Sequence, residues 1–381
     1  MSFDELETPS SLTSKSTGAS DGNGGSSGSE LMDRALRSEH RGPQDPDKIV
    51  RIYTSALEQF PESAHLLSAY ATFLSETCKQ HDQAEEYYRR AIKADPRHAI
   101  SLGNYAVLLK NTRKDYDQAE EFYRRAIEAN PKQSTNLGNY AVFLDDVRKD
   151  YDRAEEFYRR AVTSNPKHAT SLGKYAVFLE DVRKDHEAAE EFYRRALKAD
   201  RRHAANLCNY ASFLKNIRKD YDRAEEFYRR AVKASPQNAT ILGKYANFLK
   251  RVRHDYDRAE KYYKRALEAD PSHAVYLGNY AVFLHTIRKD YDQAEAYYRR
   301  AIEANPEYAT NLGNYAVFLQ TIRKDNDLAE EYYQRAVAAD SGHASCLRNY
   351  AAFLKSVRGD SERAEEFYRR ALVIEQAGRK F

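Results

Sequence analysis

Apolar positions along this chain fall at helical spacing, and the spacing recurs. In residues 131–166, Leu137, Tyr140, Ala141 and Leu144 stand at i, i+3, i+4 and i+7, which marks one buried face of a helix. The polar stretch Asp145 to Asp150 breaks that pattern and predicts a turn. Ala154, Phe157, Tyr158, Ala161 and Val162 then form the buried stripe of a second helix. Asn130-Pro131 predicts an Asx cap followed by proline at the first position of the first helix, and Asp152 with Glu155 predicts a capping box for the second. We refer to the two as helix A and helix B.

The unit repeats every 35 residues without a slip. One tyrosine series runs from Tyr70 through Tyr105, Tyr140, Tyr175, Tyr210, Tyr245, Tyr280 and Tyr315 to Tyr350, and a second runs at the same interval from Tyr53 to Tyr368. A unit this short has too little apolar surface to fold alone, so it is expected to stack on its neighbours. A quasi-one-dimensional stack offers a long ordered surface, which points to binding and away from a catalytic pocket.

Residues 1–30 differ in kind: Ser10 to Ser29 is rich in Ser, Gly and Thr and is expected to be a disordered tail. The array is expected over 31–381. It opens with a degenerate first repeat at 31–61, where Met32, Ala35 and Leu36 hold the register of Leu67, Tyr70 and Ala71, and nine 35-residue repeats follow. Val373 and Ile374 near the C-terminus are expected to be partly exposed, which leaves self-association open through that end.

Composition narrows the function classes. Lys and Arg number 61 against 58 Asp and Glu, a net charge of +3, so there is no cationic excess of the kind that a DNA-binding protein needs. Neither a secretory signal nor an apolar run long enough to span a membrane is visible, and a cytoplasmic protein is expected, with the nucleus also open. Cys78, Cys208 and Cys346 lie too far apart in repeat order to share a disulfide or a metal. Motifs for phosphate cradling, dinucleotide binding or zinc hydrolysis are absent, so neither catalysis nor a cofactor is expected. His98, His168, His203, His273 and His343 recur at one repeat position and are expected to be surface loop residues, too widely spaced to bind one metal.

Helix B carries Glu155 facing Arg159 and Glu156 facing Arg160 at i, i+4, each pair adding about 0.2–0.5 kcal/mol. These runs are expected to form a solvated, self-neutralised outer face, Glu295 included.

On these residues the chain resembles the tetratricopeptide repeat. Leu137, Tyr140, Ala141 and Leu144 occupy the signature places of helix A, and Ala154, Tyr158, Ala161 and Pro166 those of helix B, over residues 48–375. The unit departs from the family by one extra residue in the turn, and Arg201 and Ser341 replace proline at two boundaries. The resemblance implies an all-α, right-handed superhelical solenoid of helix–turn–helix repeats that scaffolds protein assemblies. More distantly the chain resembles half-a-tetratricopeptide repeats, which implies the alternative of a scaffold in an RNA-processing complex. Pentatricopeptide RNA readers also share the period, but the position that would discriminate bases is mostly glycine here, as at Gly138 and Gly173, and RNA is disfavoured as a direct partner.

In the family, helix A lines the partner-binding groove. The matching row here is Asn104, Asn139, Lys174, Asn209, Lys244, Asn279, Asn314 and Asn349, similar to the asparagine ladder of arrays that hold extended peptides. An Asn amide offers a donor and an acceptor together, so it suits a peptide backbone. Gly103, Gly138, Gly173, Gly243, Gly278 and Gly313 lie beside the rungs inside helix A, each costing about 1 kcal/mol against Ala, and approach of a ligand backbone is the expected compensation. Asp145, Asp146, Glu180 and Asp181 make two acidic layers, and Lys215, Lys250 and Arg251 two basic ones, a segregation able to fix a ligand's direction. The clamp for chaperone tails needs Lys where Gly stands and Asn where Val stands, so that ligand is disfavoured.

Overall fold

The computed structural model describes residues 46–379. The expected tail of 1–30 and the expected first helix at 31–40 lie outside the described residues. Among those described the fold is all-α, a solenoid of helical hairpins with no strand. It divides into two compact units, 1–164 and 165–381, cut at a repeat boundary.

In the first unit a single helix, Pro46–Gln59, precedes three hairpins, whose last pairs Ser134–Phe143 with Tyr151–Ser164. The second unit stacks six hairpins, from Ala169–Phe178 with His186–Ala199 to Ala344–Phe353 with Ser361–Arg379. Both tyrosine series supply the core. Tyr53, Tyr123, Tyr140, Tyr210 and Tyr263 are fully buried. Within each unit, helix B rings meet the helix A rings of the next repeat, as in Tyr123–Tyr140 at 5.8 Å and Tyr228–Tyr245 at 5.8 Å between centroids. The helix A ring then receives a helix B ring of its own repeat edge-on, Tyr140–Phe157 at 4.8 Å. Alanines 106, 126, 141 and 161 are wholly buried, which lets the helices close on these rings.

Three local expectations need correction. Pro131 does not start helix A. Asn130 ends helix B in extended backbone, and its Oδ1 accepts from the Lys132 amide at 3.1 Å, so Pro131 sits in the connecting turn and helix A begins at Ser134. Arg201 and Ser341 are tolerated because the same aspartate-headed turn forms without proline, Asp200 accepting from Arg202 at 2.8 Å and Asp340 from Gly342 at 2.9 Å.

Second, helix A does not stop at the polar stretch. It continues as one π-turn, Leu144–Arg148, and the turns Leu109–Arg113 and Leu214–Arg218 are its equivalents. The extra residue of the 35-residue unit is accommodated at this segment. Lys114, Lys149, Lys184 and Lys219 then close it at φ near 57°, a left-handed conformation that favours glycine, and among the described residues only Gly359 supplies one.

Third, Asp152 and Glu155 do not form a capping box. The residue two places before Asp152 caps helix B: Asp150 accepts from the Arg153 amide at 3.2 Å, as Asp115 does from Gln118 and Asp220 from Arg223, both at 3.1 Å. Glu155 pairs with Arg159 instead.

Four of the recurring histidines, His98, His168, His203 and His343, are caps as well, not loose loop residues, whereas the His273 side chain makes no cap bond. His98 Nδ1 accepts from the Ser101 amide at 3.3 Å and His203 Nδ1 from Asn206 at 3.3 Å. Burial, followed by the neighbouring His65, holds His98 below the ordinary histidine pKa, which keeps its ring neutral and able to accept.

Candidate functional site

Charge on helix B builds joints between repeats. Glu155–Arg159 closes at 2.6 Å and Glu156–Arg160 at 3.6 Å, so the i, i+4 pairing is present. Glu120, the counterpart of Glu155, does more. Its Oε1 accepts from Tyr140 Oη at 3.1 Å and its Oε2 from Arg148 Nε at 2.7 Å, while Arg148 Nη2 reaches Asp117 at 2.7 Å. Arg148 thus ends its π-turn as a fork gripping helix B of the preceding repeat, with its guanidinium 5.4 Å from the Phe143 ring. Burial opposes the Glu120 charge, but bonds from Arg148 and Tyr140 outweigh it and leave the carboxyl below the ordinary glutamate pKa. Glu295 plays the same part for Tyr315 and Arg323 with only 14% of its side chain exposed, so it does not belong to a free outer face.

Gly103, Gly173, Gly243 and Gly278 of helix A serve packing. A Cβ on Gly103 would stand well inside 3.0 Å of Asn136 Oδ1, and the same holds for Gly173 with Asn206, Gly278 with Asn311 and Gly243 with the Tyr276 ring. Each incoming side chain also bonds a carbonyl in the first turn of the helix it enters: Asn136 Nδ2 to Ala99 at 2.8 Å, Asn206 Nδ2 to Ala169 at 2.8 Å, Tyr276 Oη to Thr240 at 3.0 Å. The helical cost of glycine is therefore offset by the next repeat, and the ligand backbone expected there has no room.

The predicted ladder lies one residue further on. Asn104, Asn139, Lys174, Asn209, Lys244, Asn279 and Asn314 are half-buried, and Asn349 is exposed. Asn104 Nδ2 donates to Thr72 Oγ1 at 3.2 Å and lines a cavity of about 220 Å³ with Val107, Asn111 and Tyr88. In the second unit Asn209 and Lys244, from consecutive repeats, line one cavity of about 360 Å³ together with Val177, Ser212 and Asn247.

Sequence reading missed the hydroxyl row under these rungs. Helix B tyrosines bury their rings and carry the Oη to the helix A face: Tyr88 Oη meets Thr72 Oγ1 at 2.9 Å, Tyr228 Oη meets Ser212 Oγ at 2.9 Å, and Tyr263 Oη donates to Asn247 Oδ1 at 2.6 Å. Burial pushes the Tyr88 hydroxyl up to about 12, so it stays protonated. The signal was available, because the residue one turn after each rung changes from Val to Thr, Ser or Asn at 72, 212 and 247.

Family models match in pieces that agree with one another. The tetratricopeptide repeat matches residues 80–134 and 147–204, the middle tetratricopeptide-like domain of cilia- and flagella-associated protein 70 matches 212–322, and the Sel1 repeat matches 61–96 and 306–341. The chain is a tetratricopeptide-type repeat protein. Two solved structures share its fold. A human IFIT1 dimer with PPP-AAAA is 15% identical, covering 92% of this chain and 95% of its own, with a TM-score of 0.57. Yeast Tom70 is 15% identical, covering 91% and 92%, with a TM-score of 0.50. At that identity the likeness is one of fold alone. No curated protein sequence matches significantly. Tetratricopeptide-type arrays are protein-interaction scaffolds, and among the described residues no helix is long and apolar enough to cross a membrane.

Proposed function

We propose that this protein is a non-catalytic scaffold that holds an extended segment of a protein partner against the helix A face. The observation that carries the reading is the cavity shared by Asn209 and Lys244 over Ser212 and Asn247. It sets polar groups of consecutive repeats side by side above a floor of tyrosine hydroxyls, where backbone donors and acceptors of an extended chain find partners. Half-burial of the rungs supports it, since they are sheltered without being locked in the core.

The test replaces Asn209, Asn279 and Asn314 together with Ala and titrates a partner recovered by proximity labelling. Circular dichroism should be unchanged. Each lost hydrogen bond is worth about 0.5–1.5 kcal/mol net, so three together should lower affinity by about tenfold to about a thousandfold. Glu331→Ala is the matched control, because its side chain is 59% exposed and pairs only loosely with Arg335. Unchanged affinity in the triple variant would move the binding site elsewhere.

A further inference from the structure

One register position behaves in opposite ways in the two units. In the first, Lys110 Nζ closes an ion pair with Asp146 of the next repeat at 2.7 Å, with 14% of the lysine side chain exposed. Lys215 holds the register of Lys110 and Arg251 that of Asp146. The second unit therefore sets two cations where the first sets a neutral pair. Burial and then Arg251, Lys244 and Lys219 drive the Lys215 pKa down. Burial and Arg251 do the same to Lys250. Among the described residues, Lys215, Lys250 and Arg251 have no ion-pair partner of the kind that Asp146 gives Lys110.

The same cavity is also lined by acidic residues. Glu180 and Asp181 share the lining with Lys215 and Lys244, and Glu180 Oε2 accepts from Tyr193 Oη at 2.7 Å. Burial and the adjacent Asp181 raise the Glu180 pKa, so this acidic pair also gains from an opposite charge. Helix layers stack roughly 10 Å apart and an extended chain advances about 3.3 Å per residue, so one repeat corresponds to about three residues of a bound segment.

We propose that this cavity selects an extended peptide of mixed charge, a lysine or arginine against Glu180 and Asp181 and, about three residues along, an aspartate or glutamate against Lys215 and Lys244. Lys250 and Arg251 then meet a second acidic residue one repeat further. The inference rests on the helix A face being the partner-binding face. A nucleic acid strand fits worse, because it carries a negative charge at every nucleotide and would lay phosphates against Glu180 and Asp181.

The test is fluorescence anisotropy with labelled peptides of about a dozen residues, one lysine and two glutamates placed about three residues apart on a Ser/Ala/Val background. Its chain-reversed version, a charge-free version, a version with lysine in place of the glutamate next to the first lysine and an oligouridine complete the set. The full chain should bind the mixed-charge peptide in one direction about tenfold tighter than the charge-free one. Lys215→Glu with Lys244→Glu should move the preference to the peptide in which lysine replaces the glutamate next to the first lysine. That variant should fold, since a carboxylate at position 215 beside Arg251 repeats the Lys110–Asp146 arrangement with its signs exchanged, and a thermal melt checks it. Equal binding of mixed and charge-free peptides would overturn the charge selection while leaving the groove reading intact. Binding of none of the peptides, or tighter binding of oligouridine, would overturn both.

Discussion

Asn136 occupies the space that any side chain on Gly103 would need, and its amide bonds the Ala99 carbonyl in the same helix as Gly103. Gly103→Ala should therefore destabilise the protein by about 2–3 kcal/mol, although alanine is the better helix former by about 1 kcal/mol. Adding Asn136→Ala should recover part of that loss, and a double-mutant cycle by urea denaturation measures the coupling. Additive losses would mean that the two residues are not in contact.

The left-handed lysines offer the reverse case. Lys219 and Lys289 hold φ of 57° and 59° where Gly359 does the same work in the last repeat. Substituting either by Gly should stabilise by about 0.5–1 kcal/mol, the conformational relief exceeding the added freedom of the unfolded chain. The denaturant midpoint should rise with its slope unchanged.

Lys250 should titrate visibly. Burial, with Arg251 next to it, brings its pKa from 10.5 down to about 8. Between those values the unfolded chain binds the extra proton, so stability should rise with pH across that window, and below it the buried charge is a constant cost. Lys250→Met should stabilise by about 1–2 kcal/mol near pH 7, with the gain fading towards pH 10.5. Melting curves of both proteins across that range test it, and a gain that persists at high pH would assign the effect to packing.

Acid should act through the forks. Glu120, Glu190, Glu225 and Glu260 all lie below the ordinary glutamate pKa: burial opposes each charge, and hydrogen bonds from arginine, lysine or tyrosine outweigh it. A carboxyl depressed in the folded state stabilises fully above its unfolded pKa and loses that contribution as pH falls through the folded value. Stability should thus hold down to about pH 4.5 and drop below it, and Glu120→Gln should show a shallower fall.

The core was legible because tyrosine and alanine recur at fixed positions, and Tyr210 and Ala211 are buried where the stripe puts them. The turns were not. Asp145 to Asp150 is polar enough to read as a break, yet its backbone continues through a π-turn, since Leu144 is apolar and Arg148 has a carboxylate fork to reach. Histidine is also an unusual cap, so His203 gave no local signal. The glycine contacts were hidden for another reason: the residue 33 places on is Asn136, Asn206, Tyr276 or Cys346, and no periodic pattern survives that variation.

That variation makes neighbouring repeats complementary instead of interchangeable. Cys208 replaces glycine in its repeat and faces the register of Ile241, whereas Gly243 faces Tyr276. Unequal crossing-over that removed residues 209–243 would bring Cys208 against Tyr276, whose ring tolerates no Cβ there, whereas loss of 174–208 would set Gly173 against Ile241 with space to spare. Copy number in this gene is consequently free to drift only along those breakpoints that keep a small residue ahead of a large one.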